Sequence, residues 1–331
     1  MPKALALISG SLDSEVAATL VKQAGCEVVC AVFACPFQHR TGVAQTAARL
    51  EGPLITLEPD SSVLDVVRRP RFNFGGGPLS CLECRVRMLV AAKAAAVEHR
   101  CDLVVTGDVL GQRATNQSRR QLDLAAYHGG LGDALFRPLS AKLLEAARPS
   151  ERETVAAAAQ SISGSGRRPI RQLARRLGVS DVDRPGPACR LSDPGYLARL
   201  DDLLMHQAEV DLADVALILL GRHYRMHRKA KAVIGRNAAD NEALASWHAL
   251  HARGRLFVPA NFQGASVLLL LQDPQGSEAD IEIALSLSAS RKHAAPEGGF
   301  QFQEGDRLVT LAAPKSIELF TPIQAAVGAE E

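Results

Sequence analysis

The chain has 331 residues, 47% of them apolar, 22% charged and 4% aromatic, and its formal net charge is +2. This length and apolar content suit one large or two ordinary domains with real cores. No run of eighteen apolar residues occurs and the N-terminus enters a strand at once. That excludes a membrane span, gives the expectation of a soluble, cytoplasmic protein with no membrane partner, and, with seven cysteines, argues against a disulfide framework.

The apolar run Ala4-Leu5-Ala6-Leu7-Ile8 reads as a buried parallel strand, and Glu15 to Gln23 as a helix. Between them lies Ser9-Gly10-Ser11-Leu12-Asp13-Ser14, a turn of small residues into a helix start. Such a turn leaves backbone N–H groups unpaired beyond the strand end, where the helix dipole favours an anion. The loop therefore reads as a phosphate cradle. It is not a Walker loop, because no Gly-Lys-Ser/Thr follows. Asp13 offers a carboxylate to a metal-bound pyrophosphate. The plainer alternative is a helix N-cap by Ser11 with Asp13 in the first turn.

Glu27 to Phe33 is a β-branched second strand, a helix follows near Val43 to Leu50, and Leu54 to Leu57 is a third strand. This alternation predicts an α/β fold with a doubly wound parallel sheet, ligands binding at the carboxyl ends of its strands. Cys26, Cys30 and Cys35, in or around the second strand, read as core thiols, with Cys35 at the strand end. After Phe74-Gly75-Gly76-Gly77-Pro78 comes Cys81-Leu82-Glu83-Cys84 at the start of a long helix to about His99. Two thiols so spaced at a helix N-terminus suit zinc, iron–sulfur or redox chemistry. No second Cys-x-x-Cys occurs, which disfavours a four-cysteine structural zinc site. Cys101 reads as core.

Asp102 to Thr106 is a fourth strand, ending in Gly107-Asp108-Val109-Leu110-Gly111-Gln112-Arg113 and followed by Asn116-Gln117. Glycines, an acid, an amide and an arginine at a strand end make either a polar ligand rim or a tight turn. Arg137 and Lys142 are cations suited to ATP phosphates or a departing pyrophosphate, although a lone lysine after a strand is more often solvated. Arg167, Arg168, Arg171, Arg175 and Arg176 form a basic helical face suited to a phosphate backbone. Pro185-Gly186-Pro187-Ala188-Cys189 presents a single later thiol. A boundary near Met205 to Ala213 divides residues 1–205 from a smaller α/β domain, 206–331. Its strongest cluster is Arg222, Arg225, Arg228, Lys229, Lys231 and Arg236 with two histidines and no acid, an RNA footprint with Tyr224 available for stacking. An accessory or dimerisation domain is the alternative.

Ser-Gly-Ser-Leu-Asp-Ser resembles the Ser-Gly-Gly-x-Asp-Ser signature of the PP-loop ATP pyrophosphatases. With Thr106-Gly107, Leu110-Gly111-Gln112 and Arg137-Pro138-Leu139, it is similar to that of tRNA 4-thiouridine synthases and their shorter relatives. Ser11 stands where that family has a second glycine, which predicts a strained backbone there, and Asn116 where relatives have serine. The resemblance implies ATP with Mg2+ bound by Ser9, Gly10, Ser11, Asp13 and Ser14, with Gly107, Gln112, Arg113 and Arg137 completing the site. It implies adenylation of a tRNA nucleobase carbonyl followed by sulfur insertion. In related tRNA thiolases a Cys-x-x-Cys and one later cysteine hold a 4Fe-4S cluster, and the matching positions are Cys81, Cys84 and Cys189. Another branch uses two cysteines as persulfide carrier and resolving thiol, so catalytic roles fall to Asp13, Cys84, Cys189 and Lys142 in either case. The region from about Ala213 to Ile323 resembles the RNA-binding module of NFACT proteins through Gly221-Arg222-His223-Tyr224-Arg225, Ile234-Gly235-Arg236-Asn237 and Asn241-Glu242. No THUMP-like segment precedes the loop and no cysteine follows Cys189. The expected partners are therefore tRNA, gripped by the C-terminal region, and a separate sulfur donor, sulfide or a cysteine desulfurase. A homodimer is left open. The alternatives are an enzyme of this fold acting on a small molecule and an RNA-binding protein with a degenerate ATP site.

Overall fold

The computed structural model describes residues 1–39, 41–72, 81–113, 116–144, 153–181, 183, 188–272, 277–289, 296–316 and 320–324. The loops read at Phe74 to Pro78 and at Pro185 to Pro187 lie outside the described residues. The chain forms two units, Met1–Arg190 and Leu191–Glu331.

The first unit runs β1 (Lys3–Leu7), α1 (Leu12–Gln23), β2 (Glu27–Phe33), the two-residue β3 (Gln38–His39), α2 (Val43–Arg49), β4 (Leu54–Leu57), α3 (Asp65–Arg68) and α4 (Cys81–Glu98). It continues through β5 (Leu103–Val105), α5 (Arg119–Gly129), β6 (Leu135–Phe136), α6 (Glu153–Ala156), α7 (Arg168–Arg176) and β7 (Ala188–Cys189). The main sheet has the order β4-β2-β1-β5-β6 with every pair parallel. The chain winds outward from β1 through β2 to β4, then crosses to β5 on the other side. The order reverses between β1 and β5, so a ligand crevice opens beyond their carboxyl ends. Small side chains let α1 approach closely: Ala4, Ala6 and Ile8 pack with Leu12, Val16, Ala17 and Val21. Ile170, Leu173 and Ala174 of α7 join the same core.

The second unit comprises α8 (Pro194–His206), α9 (Leu212–Leu217), β8 (Arg222–His227), β9 (Ala230–Ile234), α10 (Ala238–His251), β10 (Arg255–Pro259), β11 (Val267–Leu271), α11 (Glu278–Ala289), β12 (Phe300–Glu304) and β13 (Arg307–Leu311). Its sheet, β13-β12-β10-β11-β9-β8, is antiparallel throughout. Alternation along the strands decides which helix each residue meets. Tyr224, Ala232, Ile234 and Leu269 pack with Ala284 and Leu285 of α11. Val233 and Leu268 point the other way, to Leu217 of α9 and to Leu244 and Trp247 of α10.

Candidate active site

The turn from β1 into α1 is built by hydroxyls and one glycine. Gly10 has φ +79, and a Cβ there would stand 1.8 Å from the Thr41 carbonyl oxygen, so glycine alone fits. Ser11 has φ −76 and ψ 154 and is the N-cap of α1, its Oγ accepting from the Ser14 N–H at 3.2 Å. The strain expected at Ser11 is therefore absent, because the left-handed conformation falls one residue earlier. Ser9 N–H donates to Ser14 Oγ at 3.2 Å, and the Oγ atoms of Ser9 and Ser14 each lie about 3 Å from that of Ser11. Gly107, past the end of β5, rests directly on the start of α1: an added Cβ would meet the Ser14 backbone nitrogen at 2.6 Å. Gly107→Ala is accordingly expected to cost about 1–3 kcal/mol through overpacking, read by thermal unfolding.

This turn borders a cavity of about 160 Å3, smaller than pockets that enclose a whole ligand (roughly 300 Å3 upward). Asp13 stands in its wall, where Gln112 Nε2 donates to Oδ2 at 3.1 Å and Arg167 Nη2 to Oδ1 at 3.3 Å. Arg167 was read as part of an RNA-facing arginine row. It instead joins Arg85 and Arg113 as a cation lining this cavity. Asp108, which also lines the cavity, accepts from Thr106 Oγ1 at 2.9 Å and pairs with Arg85 at 3.3 Å and Arg137 at 3.4 Å. Burial alone would raise the Asp108 carboxyl, but the two guanidinium groups hold it below the usual carboxylate range.

Two cations expected at phosphates sit elsewhere. Arg137 is fully buried, donates from Nη2 to the Leu122 carbonyl at 2.9 Å and is not among the residues lining the cavity. It directly follows the edge strand β6, and its full burial makes it a clamp on Asp108. Lys142 also lies off the cavity, its backbone N–H donating to the Gln160 carbonyl at 3.0 Å. Arg85, one residue past Cys84, carries no motif and was not singled out in the sequence.

The thiols converge from three parts of the chain. Cys81 and Cys84 sit on the first turn of α4, which buried Glu83 anchors through Arg71 at 2.9 Å and Arg87 at 3.0 Å. Beyond β2 the chain turns, Gln38 N–H donating to the Cys35 carbonyl at 3.1 Å. Residues 188–190 are strapped along this turn: Gln38 pairs with Cys189, Arg190 N–H donates to the Phe37 carbonyl and its Nη1 to that of Pro36, both at 2.8 Å. Cys84 shares a hydrogen bond with Cys35 and has Cys189 and Cys81 as electrostatic neighbours. That hydrogen bond, then burial and the other thiols, push the Cys84 thiol far above its ordinary value. Cys35, expected to be core filling, is thus a member of this thiol group. The usable signal was its place at the carboxyl end of a sheet strand, where ligands bind. Cys26 and Cys30 are core, Cys30 pushed up to about 11 by burial. Cys101 is partly buried, its Sγ facing the His99 carbonyl. Among the described residues, no three His, Cys, Asp or Glu side chains form a group that could hold a metal ion.

The basic runs are also redistributed. On α7, Arg168, Arg175 and Arg176 are exposed, while Arg171 pairs with Asp183 at 3.0 Å. In the second unit, strand alternation splits the cluster: His223, Arg225 and Lys231 face one side of the sheet and Arg222 and Tyr224 the other. Arg236 pairs with Asp240, Asn237 caps α10 and Asn241 accepts from Ser266 N–H at 2.9 Å. A Cβ on Gly235 would meet Asn241 Oδ1 at 2.0 Å. The Ile234 to Asn241 motif therefore has structural work in this unit.

Residues 1–140 match the family model described as ThiI, thiamine biosynthesis protein. The match covers 140 of the 331 residues, all within the first unit. Among solved structures, the chain is similar to a 4-thiouridine synthetase–RNA complex with bound ATP, at 20% identity and a TM-score of 0.37, over 55% of this chain and 42% of that one. It thus spans less than half the length of that relative. It is also similar to a predicted subunit of tRNA methyltransferase from Methanocaldococcus jannaschii, at 12% identity and a TM-score of 0.27, over 56% of this chain and 93% of that one. No curated protein matches the chain. The ThiI match contains the serine-rich turn, Cys35, Cys81, Cys84, Arg85 and Arg137, whereas Lys142, Arg167 and Cys189 lie beyond it. No helix among the described residues is long and apolar enough to cross a membrane.

Proposed function

We propose that the chain is an ATP-dependent tRNA sulfurtransferase. The observation that carries this reading is one helix serving two chemistries: Cys84 lies in the thiol group and Arg85, the next residue, lines the cavity above the serine turn. Mg2+ enters with ATP as the substrate's counter-ion, and Asp13 is the carboxylate that meets it. A nucleobase carbonyl oxygen attacks the α-phosphate, forming an O–P bond, and pyrophosphate leaves. Arg85, Arg113 and Arg167 stabilise the charge on the separating phosphates. Sulfur then attacks the activated carbon, the C–O bond breaks, and AMP departs to leave a thiocarbonyl.

Thiols are the donors a 4Fe-4S cluster takes, although as placed no three side chains among the described residues form a metal-holding group, so the cluster would have to draw these cysteines together. Cys81, Cys84 and Cys189 would hold it, and it would supply an iron without a protein ligand at which sulfide from a separate donor binds. A second reading without a cluster is favoured by the Cys35–Cys84 hydrogen bond. One thiol takes sulfane sulfur from a donor's persulfide. After that sulfur attacks the activated carbon, the other thiol attacks the inner sulfur, releasing the thiocarbonyl and leaving a Cys35–Cys84 disulfide for an external thiol to reduce. Iron content and visible absorption after anaerobic reconstitution distinguish the two.

The test is nucleoside mass spectrometry on unmodified tRNA incubated with protein, ATP, Mg2+ and sulfide. A thionucleoside that disappears without ATP supports the reading; AMP release without one moves the acceptor to a small molecule. Asp13→Ala is expected to lower ATP-to-AMP turnover roughly 10- to 100-fold. Unchanged turnover would remove Asp13 from the pyrophosphate site.

A further inference from the structure

The second unit holds a cavity of about 570 Å3 on the face of β8 and β9 that carries His223, Arg225 and Lys231. The charges around it do not cancel. Asp202 of α8 accepts from Arg225 Nη2 and from Lys231 Nζ, both at 2.8 Å, so one carboxylate serves two cations. Lys231 is buried, and its ammonium has three N–H donors, for which Asp202 Oδ2 is the acceptor among the described residues. In the turn of the β8–β9 hairpin, Arg228 and Lys229 are exposed, line the same cavity and have no acidic partner among the described residues. The other arginines on the rim are matched: Arg253 by Asp211 and by Asp214 at 3.1 Å, and Arg255 by Glu304. Six cations against four carboxylates leave these groups with an excess of about two positive charges in a concave site.

A second observation comes from His223, which is buried and lines the cavity. Its Nε2 lies 2.9 Å from the Leu220 carbonyl and so carries the proton, which leaves Nδ1 as an acceptor with no partner. An unmatched acceptor beside unmatched cationic donors suits a ligand that offers both anionic oxygens and a hydroxyl proton. A ribose phosphate offers both.

We propose that this cavity seats a phosphodiester of RNA, with the phosphate over Lys231 and Arg225 and flanked by Arg228 and Lys229. The choice of RNA rests on the proposed action on tRNA; the anionic character of the ligand rests on the cavity alone. The site differs from the single basic stripe implied by the sequence, because Arg222 lies on the opposite face and Arg236 is held by Asp240.

The test is equilibrium binding of labelled unmodified tRNA to the full chain over a range of salt concentrations. The proteins are wild type, the double variant Arg228→Gln/Lys229→Gln, and Arg307→Glu as a control of equal charge change on exposed β13. Both substituted hairpin residues are exposed, so thermal unfolding should match wild type. The double variant is expected to bind at least about tenfold more weakly, with a log–log salt slope shallower by about two. The control should bind as wild type does. Wild type that binds RNA no better than its double variant overturns the phosphate seat. Wild type that binds no RNA at any salt concentration overturns the RNA assignment and, separately, the tRNA reading. Equal occupancy of wild type by inorganic phosphate or AMP, with displacement of RNA, replaces the polymer with a small phosphorylated ligand and also overturns the proposal.

Discussion

Arg137→Met is expected to lower the stability of the protein by about 3–5 kcal/mol, because it removes one of the two cations flanking a buried carboxylate. Methionine fills much of the arginine stem's volume, so the loss reports mainly on charge. Asp108 keeps Arg85 at 3.3 Å but loses Arg137, and the Leu122 carbonyl loses its side-chain donor. The sign of the pH effect follows from the direction of the Asp108 shift. A carboxyl depressed by folding contributes stability that is present above its unfolded value and disappears as pH falls through its folded value. Without Arg137 the folded value rises, so this contribution shrinks and is lost at higher pH. Denaturant midpoints measured from about pH 7 down to about pH 3 should diverge most from those of wild type at the neutral end. Coincident curves would show that the Arg137–Asp108 pair has no net effect on stability.

Cys84→Ser is expected to reduce thionucleoside formation a hundredfold or more while ATP-to-AMP conversion on tRNA stays within a few-fold of wild type. A loss confined to the second half-reaction reflects an interaction used only there. Serine keeps the side chain's size but is neither a soft metal ligand nor a persulfide carrier. Cys35→Ser extends the test to the thiol that the sequence hid. Treating cluster-free wild type with a low-molecular-weight disulfide should join Cys35 to Cys84 with release of both small thiols and no added mass at this pair, whereas either serine variant stops at a mixed disulfide on the remaining cysteine, read by peptide mass spectrometry. If both variants thiolate tRNA like wild type, sulfur transfer does not pass through this group.

Features decided by neighbours in the chain were legible in the sequence. The serine-rich turn, the helix behind it and the Cys-x-x-Cys on α4 depend on local chemistry, and the alternating strands fixed a parallel sheet whose ligand edge could be named in advance. Features decided by burial or by distant partners were not. Arg137 looks like a phosphate ligand until the fold buries it against Asp108. Arg167 looks like one of a row until the chain turns it towards Asp13. Cys35 looks like core until residues 188–190 are laid along its turn. The cluster from Arg222 to Arg236 is continuous in sequence, yet a period of two divides it between opposite sheet faces.

Cys84 and Arg85 are consecutive on a helix, so they leave its axis roughly 100° apart. One azimuth faces the thiols and the next the cavity, and two ion pairs to residues outside the helix, Glu83 with Arg71 and Arg87 with Asp65, lock it against turning. α4 therefore acts as a keyed shaft. A one-residue insertion or deletion in its first turn would rotate the two functions out of alignment together, and no substitution of either side chain alone could restore both. The phasing of this helix, as much as the identity of its cysteines, is what a working variant must preserve.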